Sequence, residues 1–68
     1  MTDKPESLAE LQKRLDGQPV LMLDGKFGMI ICVPTRNDPS VGIQVPGEED
    51  IRWRELSKLV GDPLVEKP

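Results

Sequence analysis

Apolar residues repeat with a helical period at the start of the chain. Three leucines spaced three and four residues apart form one apolar stripe between polar residues: Leu8, Leu11 and Leu15. Asp3 and Glu6 have the spacing of an N-terminal capping pair, and Gly17 suits the position that follows a helix. The pattern predicts a helix over residues 4–16, whose stripe either packs on the rest of the domain or docks on a partner.

After the helical segment, the pattern changes to short apolar runs that are typical of β-strands. The run at residues 20–23 ends at Asp24-Gly25, which is a strong signal for a two-residue hairpin turn, and apolar residues resume over residues 26–33. We therefore predict that the two runs pair as antiparallel strands.

The second run carries apolar residues on both faces of the predicted strand. One face holds Phe27, Met29, Ile31 and Val33, and the other holds Ile30 and Cys32. A strand of this kind needs a cover on each side. We expect the interior of a curled sheet to cover one face and the N-terminal helix to cover the other. Ile31 is then a central core residue, and Cys32 is a small buried side chain.

Two later segments alternate between apolar and polar residues and are assigned as strands: residues 41–45 and the four residues from Ile51. In the second segment we expect Ile51 and Trp53 to point into the core, whereas Arg52 and Arg54 point to solvent. A loop over residues 34–40, an acidic turn over 46–50 and a helical turn over 55–60 connect these strands to a short closing strand at 64–65.

These elements describe one small domain, residues 1–68, of the mainly β (α+β) class. The helix lies within residues 1–17, a four- or five-stranded β-barrel covers residues 19–65, and residues 66–68 are expected to fray. Strong curling removes exposed sheet edges, which allows about 50 residues to enclose a core.

The composition excludes much of enzyme chemistry. The chain has no His, no Tyr and a single Cys, so His-based acid–base catalysis, Cys/His nucleophile pairs, His-Cys zinc sites and an internal disulfide are ruled out. The adjacent carboxylates at residues 48–50 lack the alternating spacing of a calcium loop. We therefore predict a non-enzymatic protein with no catalytic residue, no cofactor and no metal.

The charge balance bears on partners and location. The net charge is −3 and the isoelectric point is near 4.8, which disfavours nucleic acid as a partner because a basic face is needed to neutralise phosphates. No stretch approaches the length of a membrane span, and residues 1–8 lack the apolar core of a signal peptide. A lone cysteine without a secretory signal predicts a cytoplasmic protein. The short chain fits a bacterial or phage origin.

The chain resembles SH3-like barrels over roughly residues 20–60. The resemblance lies in the glycine-containing turn that opens a strand at residues 25–28, and in Glu55-Leu56, which matches the 3₁₀ turn before the last strand. It implies a small β-barrel fold.

A second similarity is to the Sm-like (Hfq-type) family, in the helix followed by residues 15–20, in residues 23–26 and in Ile51-Arg52. It implies an RNA-binding barrel. Trp53 stands where that family has a glycine, so no RNA-contacting residue is transferred to this chain.

Two further similarities are slighter. The first is to parts of the carbon-storage-regulator family, in residues 41–43, in Pro46 and in residues 51–56. Small barrels can also form an enzyme around a shared pore, as the plasmid-type dihydrofolate reductases do. An oligomeric-pore enzyme is our third and least favoured hypothesis.

Trp53 between Arg52 and Arg54 forms the first candidate binding cluster. A tryptophan beside guanidinium groups can stack on a base or anchor a peptide. The alternative is that Trp53 fills the core while the arginines pair with the acidic residues 48–50.

Arg36 and Asn37, in the middle of the long loop, are the second candidate, either as a recognition tip or as a plain polar connector. From these candidates we predict a protein–protein interaction (adaptor) module, with nucleic-acid (RNA) binding as the alternative. The sequence leaves the oligomeric state open.

Overall fold

The structure is a computed structural model that describes residues 7–68. One helix and six strands follow in chain order: α1 Leu8–Leu15, β1 Pro19–Leu21, β2 Phe27–Cys32, β3 Ser40–Gln44, β4 Arg52–Glu55, β5 Leu59–Val60 and β6 Leu64–Glu66. The strands form one sheet in the order β4-β3-β2-β1-β6-β5, which curls into a nearly closed barrel. The predicted class is confirmed, with six strands where four or five were expected.

The helix begins after Ser7, which caps it. The Ser7 hydroxyl accepts a hydrogen bond from the Glu10 N–H at 3.2 Å and donates one to Glu10 Oε1 at 3.0 Å, so its side chain satisfies one N–H of the first helical turn. The predicted caps, Asp3 and Glu6, lie outside the described residues. Gly17 follows the helix with a φ of +79°, as predicted.

The first hairpin is confirmed, but its turn is one residue longer than predicted. The Met22 N–H donates to the Lys26 carbonyl at 2.8 Å, and the Gly25 N–H donates to the Met22 carbonyl at 3.0 Å. Three residues therefore form the loop, with Gly25 last at a φ of +88°. A left-handed residue at that place is what a three-residue hairpin requires, and glycine adopts it without strain.

The barrel interior is filled by side chains from the helix and from the strands around it. The buried apolar residues of the described chain are Leu15, Val20, Met22, Ile30, Val41, Ile43, Val45, Leu59 and Leu64. Leu11 packs against them and Leu8 is exposed. The helix thus packs its stripe on its own barrel through Leu11 and Leu15.

The prediction that both faces of β2 are covered is wrong. Ile30 is buried, whereas Ile31 is 44% exposed. The helix contributes Leu15 to the inside of the barrel instead of covering the outer face of the strand. A β-bulge between Ile30 and Cys32 also reverses the alternation, so that Val33 packs against the core.

The orientation predicted for β4 is also wrong. Residues directly opposite each other in an antiparallel pair lie on the same face, and buried Val41 and Ile43 face Arg54 and Arg52. The arginines therefore lie on the inner side of β4, and Trp53 lies on the outer side. β4 is at the open edge of the barrel, where long side chains on the inner side reach carboxylates at the opening.

Residues 66 and 67, in the segment expected to fray, are held by the sheet and by a backbone hydrogen bond. Glu66 ends β6, and the Lys67 N–H donates to the Lys58 carbonyl at 2.9 Å. Over residues 7–68, no helix has the length and apolar character needed to cross a membrane.

Candidate interaction surface

Four large apolar side chains lie exposed on the outer face of β2 and β4. Phe27 is 62% exposed, Met29 52% and Ile31 44% on β2, and Trp53 is 54% exposed on β4. Single exposed apolar residues are ordinary, but a contiguous group marks an interaction site on a small protein. We call these four side chains the outer patch.

The strand between them, β3, carries small or polar residues on this face. Register places Gln44 opposite Met29 and Gly42 opposite Trp53. A Cβ at Gly42 would lie 2.9 Å from the Cys32 Cβ and 3.1 Å from the Ile51 Cγ2. Cys32 and Ile51 therefore cover Gly42 and continue the apolar surface across the strand.

Cys32 was predicted to be buried, and it is half-buried in the structure. The bulge places Cys32 opposite Gly42. Because glycine has no side chain to cover it, Cys32 stays partly exposed. Its thiol is free.

A depression of about 310 Å³ lies along β2 beside this surface. Its walls are Phe27, Gly28, Met29, Ile31, Gln44 and Pro46. Its walls expose almost no polar surface. The Gln44 side-chain amide is turned to the neighbouring turn, where it donates to the Glu48 carbonyl at 2.8 Å. The depression can accept an apolar group of a partner.

Arg52 is held in an ion-pair cluster. Its Nε donates to Glu48 Oε1 at 2.9 Å, and its Nη2 donates to the other Glu48 oxygen and to Asp24 Oδ2, the latter at 3.0 Å. Lys26 Nζ lies 3.3 Å from Glu48. Hydrogen bonds from Arg52 lower the pKa of both Asp24 and Glu48, and these carboxylates in turn raise the pKa of Arg52.

Arg54 is bonded across the opening of the barrel. Its Nε donates to Glu66 Oε2, and its Nη1 donates to the Trp53 carbonyl at 2.8 Å. Glu66 Oε1 also accepts the Leu23 N–H at 3.0 Å. That backbone hydrogen bond lowers the pKa of Glu66. Burial acts in the opposite direction, and the hydrogen bond from Arg54 lowers the pKa further.

Both arginines of the predicted cluster are therefore bonded to carboxylates, on the face opposite to Trp53. Pairing of Arg52 with the acidic turn was one of the alternatives that the sequence left open, and the structure places it at Glu48.

Arg36 and Asn37 lie at the exposed tip of a small turn. The Thr35 N–H donates to the Asp38 carbonyl at 2.8 Å and closes the turn. This tip follows the end of β2 that is remote from Phe27. The structure places the two residues on a loop, as predicted, and separately from the depression.

Phe27, Met29 and Ile31 were missed as surface residues because apolar residues in a strand were assigned to the core. A signal was present in the sequence, since a chain of this size has one helix with which to cover the outer face of a strand that is apolar on both sides. Within residues 7–68, no three Cys, Asp or Glu side chains lie close enough together to hold a metal ion.

No protein-family model, curated protein or solved structure matches the chain. The functional argument therefore depends on the outer patch itself.

Proposed function

We propose that this protein is a non-enzymatic protein–protein interaction module whose binding site is the outer patch. The observation that carries the proposal is the exposure of four large apolar side chains on one sheet face, beside an apolar depression. Burial of apolar surface stabilises a complex by about 25 cal/mol per Å² before the costs of association. Tryptophan is also among the residues that contribute most to binding at interfaces.

Local features support an SH3-like barrel as the family of folds. A turn that contains Gly25 precedes β2, and a 3₁₀ turn at Leu56–Lys58 follows β4. A helix before a small barrel is equally compatible with the Sm-like fold. The single cysteine supports a reducing, cytoplasmic environment.

Nucleic acid is the alternative partner, and the charges argue against it. Arg52 and Arg54 are each bonded to a carboxylate on the inner side of β4, so neither is free to neutralise phosphates on the face of Trp53. The observation in favour is the exposed indole, but stacking of one base contributes only about 1–3 kcal/mol.

A matched pair of surface variants tests the proposal. Ile31→Lys places a charge in the outer patch, and Val60→Lys places one on β5, three strands away from β2 in the sheet order. The two residues are both β-branched and are 44% and 45% exposed. Immobilised wild-type protein and both variants are used to capture partners from an extract of the native host, and each captured protein is then purified and titrated by calorimetry.

We expect Ile31→Lys to weaken binding at least 10-fold and Val60→Lys to leave it unchanged. Equal affinity for all three proteins would show that the patch is not the binding site. Micromolar, salt-sensitive binding of an RNA oligonucleotide would instead support the alternative.

A further inference from the structure

We infer that the occupant of the outer patch is a second copy of this chain, packed face to face about a two-fold axis. This inference rests on the proposed function, because it names the partner of the same site. Four features of the molecule carry it: charge, shape, area and the size of the core.

The outer face of β2, β3 and β4 has almost no charge. Glu55, opposite Ser40 at one end of the sheet, is the only charged residue among the outward positions of these three strands. The chain as a whole carries a net charge of −3, so two copies carry like net charge and repel each other at long range. Contact through this face brings two copies together with little repulsion between like charges.

The face has a projecting group and a depression side by side. The indole of Trp53 projects from β4, and the depression lies along β2, one strand beyond β3. In an isologous pair, each residue contacts the same partner residue in both directions. An axis that runs between the indole and the depression places Trp53 of each copy over the depression of the other.

The exposed area is suited to a weak dimer. From the usual size of such side chains, the outer patch presents on the order of 400 Å², which is about half of the roughly 800 Å² per partner of a standard interface. Two antiparallel sheets can pack in this way with their faces about 10 Å apart. An interface of this size favours a dimer that dissociates on dilution.

The small core gives self-association a thermodynamic role. The described chain buries its apolar core inside one short barrel, and a domain below about 70–80 residues commonly needs a further source of stability. A second copy that binds only the folded barrel stabilises it by mass action. The melting temperature is therefore expected to rise with protein concentration.

Two measurements on the full chain test the dimer. Sedimentation equilibrium from micromolar to millimolar protein is expected to show the mass rising from 7.6 kDa toward twice that value. Trp53 is the only tryptophan and the chain has no tyrosine, so intrinsic fluorescence reports on this patch alone. Its emission is expected to shift to longer wavelength on dilution, as the indole returns to water.

The same pair of variants locates the interface. Ile31→Lys is expected to remain at 7.6 kDa at every concentration, whereas Val60→Lys associates as the wild type does. Circular dichroism verifies that both are folded. A wild-type chain that stays monomeric at millimolar concentration, association that persists in Ile31→Lys, or a ring of higher order would overturn the inference.

Failure of this inference differs from failure of the proposed function. A monomeric wild type that binds a different protein through Ile31 contradicts only the second copy. If the wild type is monomeric and Ile31→Lys weakens the binding of no other protein, both proposals are contradicted.

Discussion

Adjacent isoleucines on β2 have opposite environments. Ile30 lies opposite Ile43 and is fully buried, whereas Ile31 is 44% exposed at the bulge. The two residues have the same side chain and neighbouring positions in one strand. A comparison of them therefore separates the contribution of burial from the contribution of residue type and strand propensity.

Ile30→Ala is expected to destabilise the protein by about 2–5 kcal/mol, because it leaves a cavity in a filled core. Ile31→Ala is expected to cost less than about 1 kcal/mol in the monomer, since its side chain is already partly in water. Urea denaturation at low protein concentration measures both free energies of unfolding. Equal losses for the two variants would contradict the assignment of faces on β2.

At the scale of the elements, α1 depends on a local cap. The Ser7 side chain accepts from the Glu10 N–H at the first turn of an eight-residue helix. Ser7→Ala is expected to cost about 1 kcal/mol, because that N–H loses its partner, whereas Ser7→Asp keeps an acceptor and stays near wild type. Thermal unfolding by circular dichroism measures the difference. Similar losses for both variants would show that the cap contributes nothing.

The Glu66 carboxylate links the two sides of the barrel opening. Glu66 on β6 accepts hydrogen bonds from Arg54 on β4 and from the N–H of Leu23 after β1. β4 and β6 are not neighbours in the sheet, so the bond to Arg54 connects two separate parts of the barrel. Asp24 and Glu48 hold Arg52 in a similar way. Carboxylates are thus the groups through which pH acts on the closure of the barrel.

The pH dependence follows from the direction of these shifts. Folding lowers the pKa of Glu66 below its ordinary value of 4.5, so its contribution is present at neutral pH and is lost as the pH falls through the folded-state pKa. Glu66→Gln is expected to lower the melting temperature at pH 7 and to reduce its fall between pH 7 and pH 3. Exposed Glu55→Gln is the control. Parallel pH profiles for wild type and Glu66→Gln would contradict this role.

At the scale of the whole molecule, the acidic balance and the pairing of the arginines limit the classes of partner. We expect no binding tighter than about 100 µM to mixed-sequence RNA or DNA at physiological salt, because counterion release requires free basic groups. Fluorescence anisotropy with labelled oligonucleotides measures the affinity. Micromolar binding that weakens steeply with salt and is lost in Arg52→Ala/Arg54→Ala would reverse the order of the two functions.

Local signals in the sequence determined the elements of this protein. The leucine spacing predicted the helix, Asp24-Gly25 predicted the hairpin, and the residues after β4 predicted a helical turn, which is the 3₁₀ turn Leu56–Lys58. These predictions succeed because side-chain spacing and a left-handed glycine act over a few residues. The length of the hairpin turn was wrong by one residue, because glycine is the last residue both of a two-residue type I′ loop and of the common three-residue loop.

Only the tertiary structure decided which side of each strand meets water. Alternation has a period of two whichever face is buried, so Trp53 and its neighbouring arginines could be assigned to either side. The pairing of β3 with β4, the bulge at Ile31 and the placement of α1 at the core then turned the apolar side chains outward. The candidate site is therefore a product of long-range register, which no local pattern encodes.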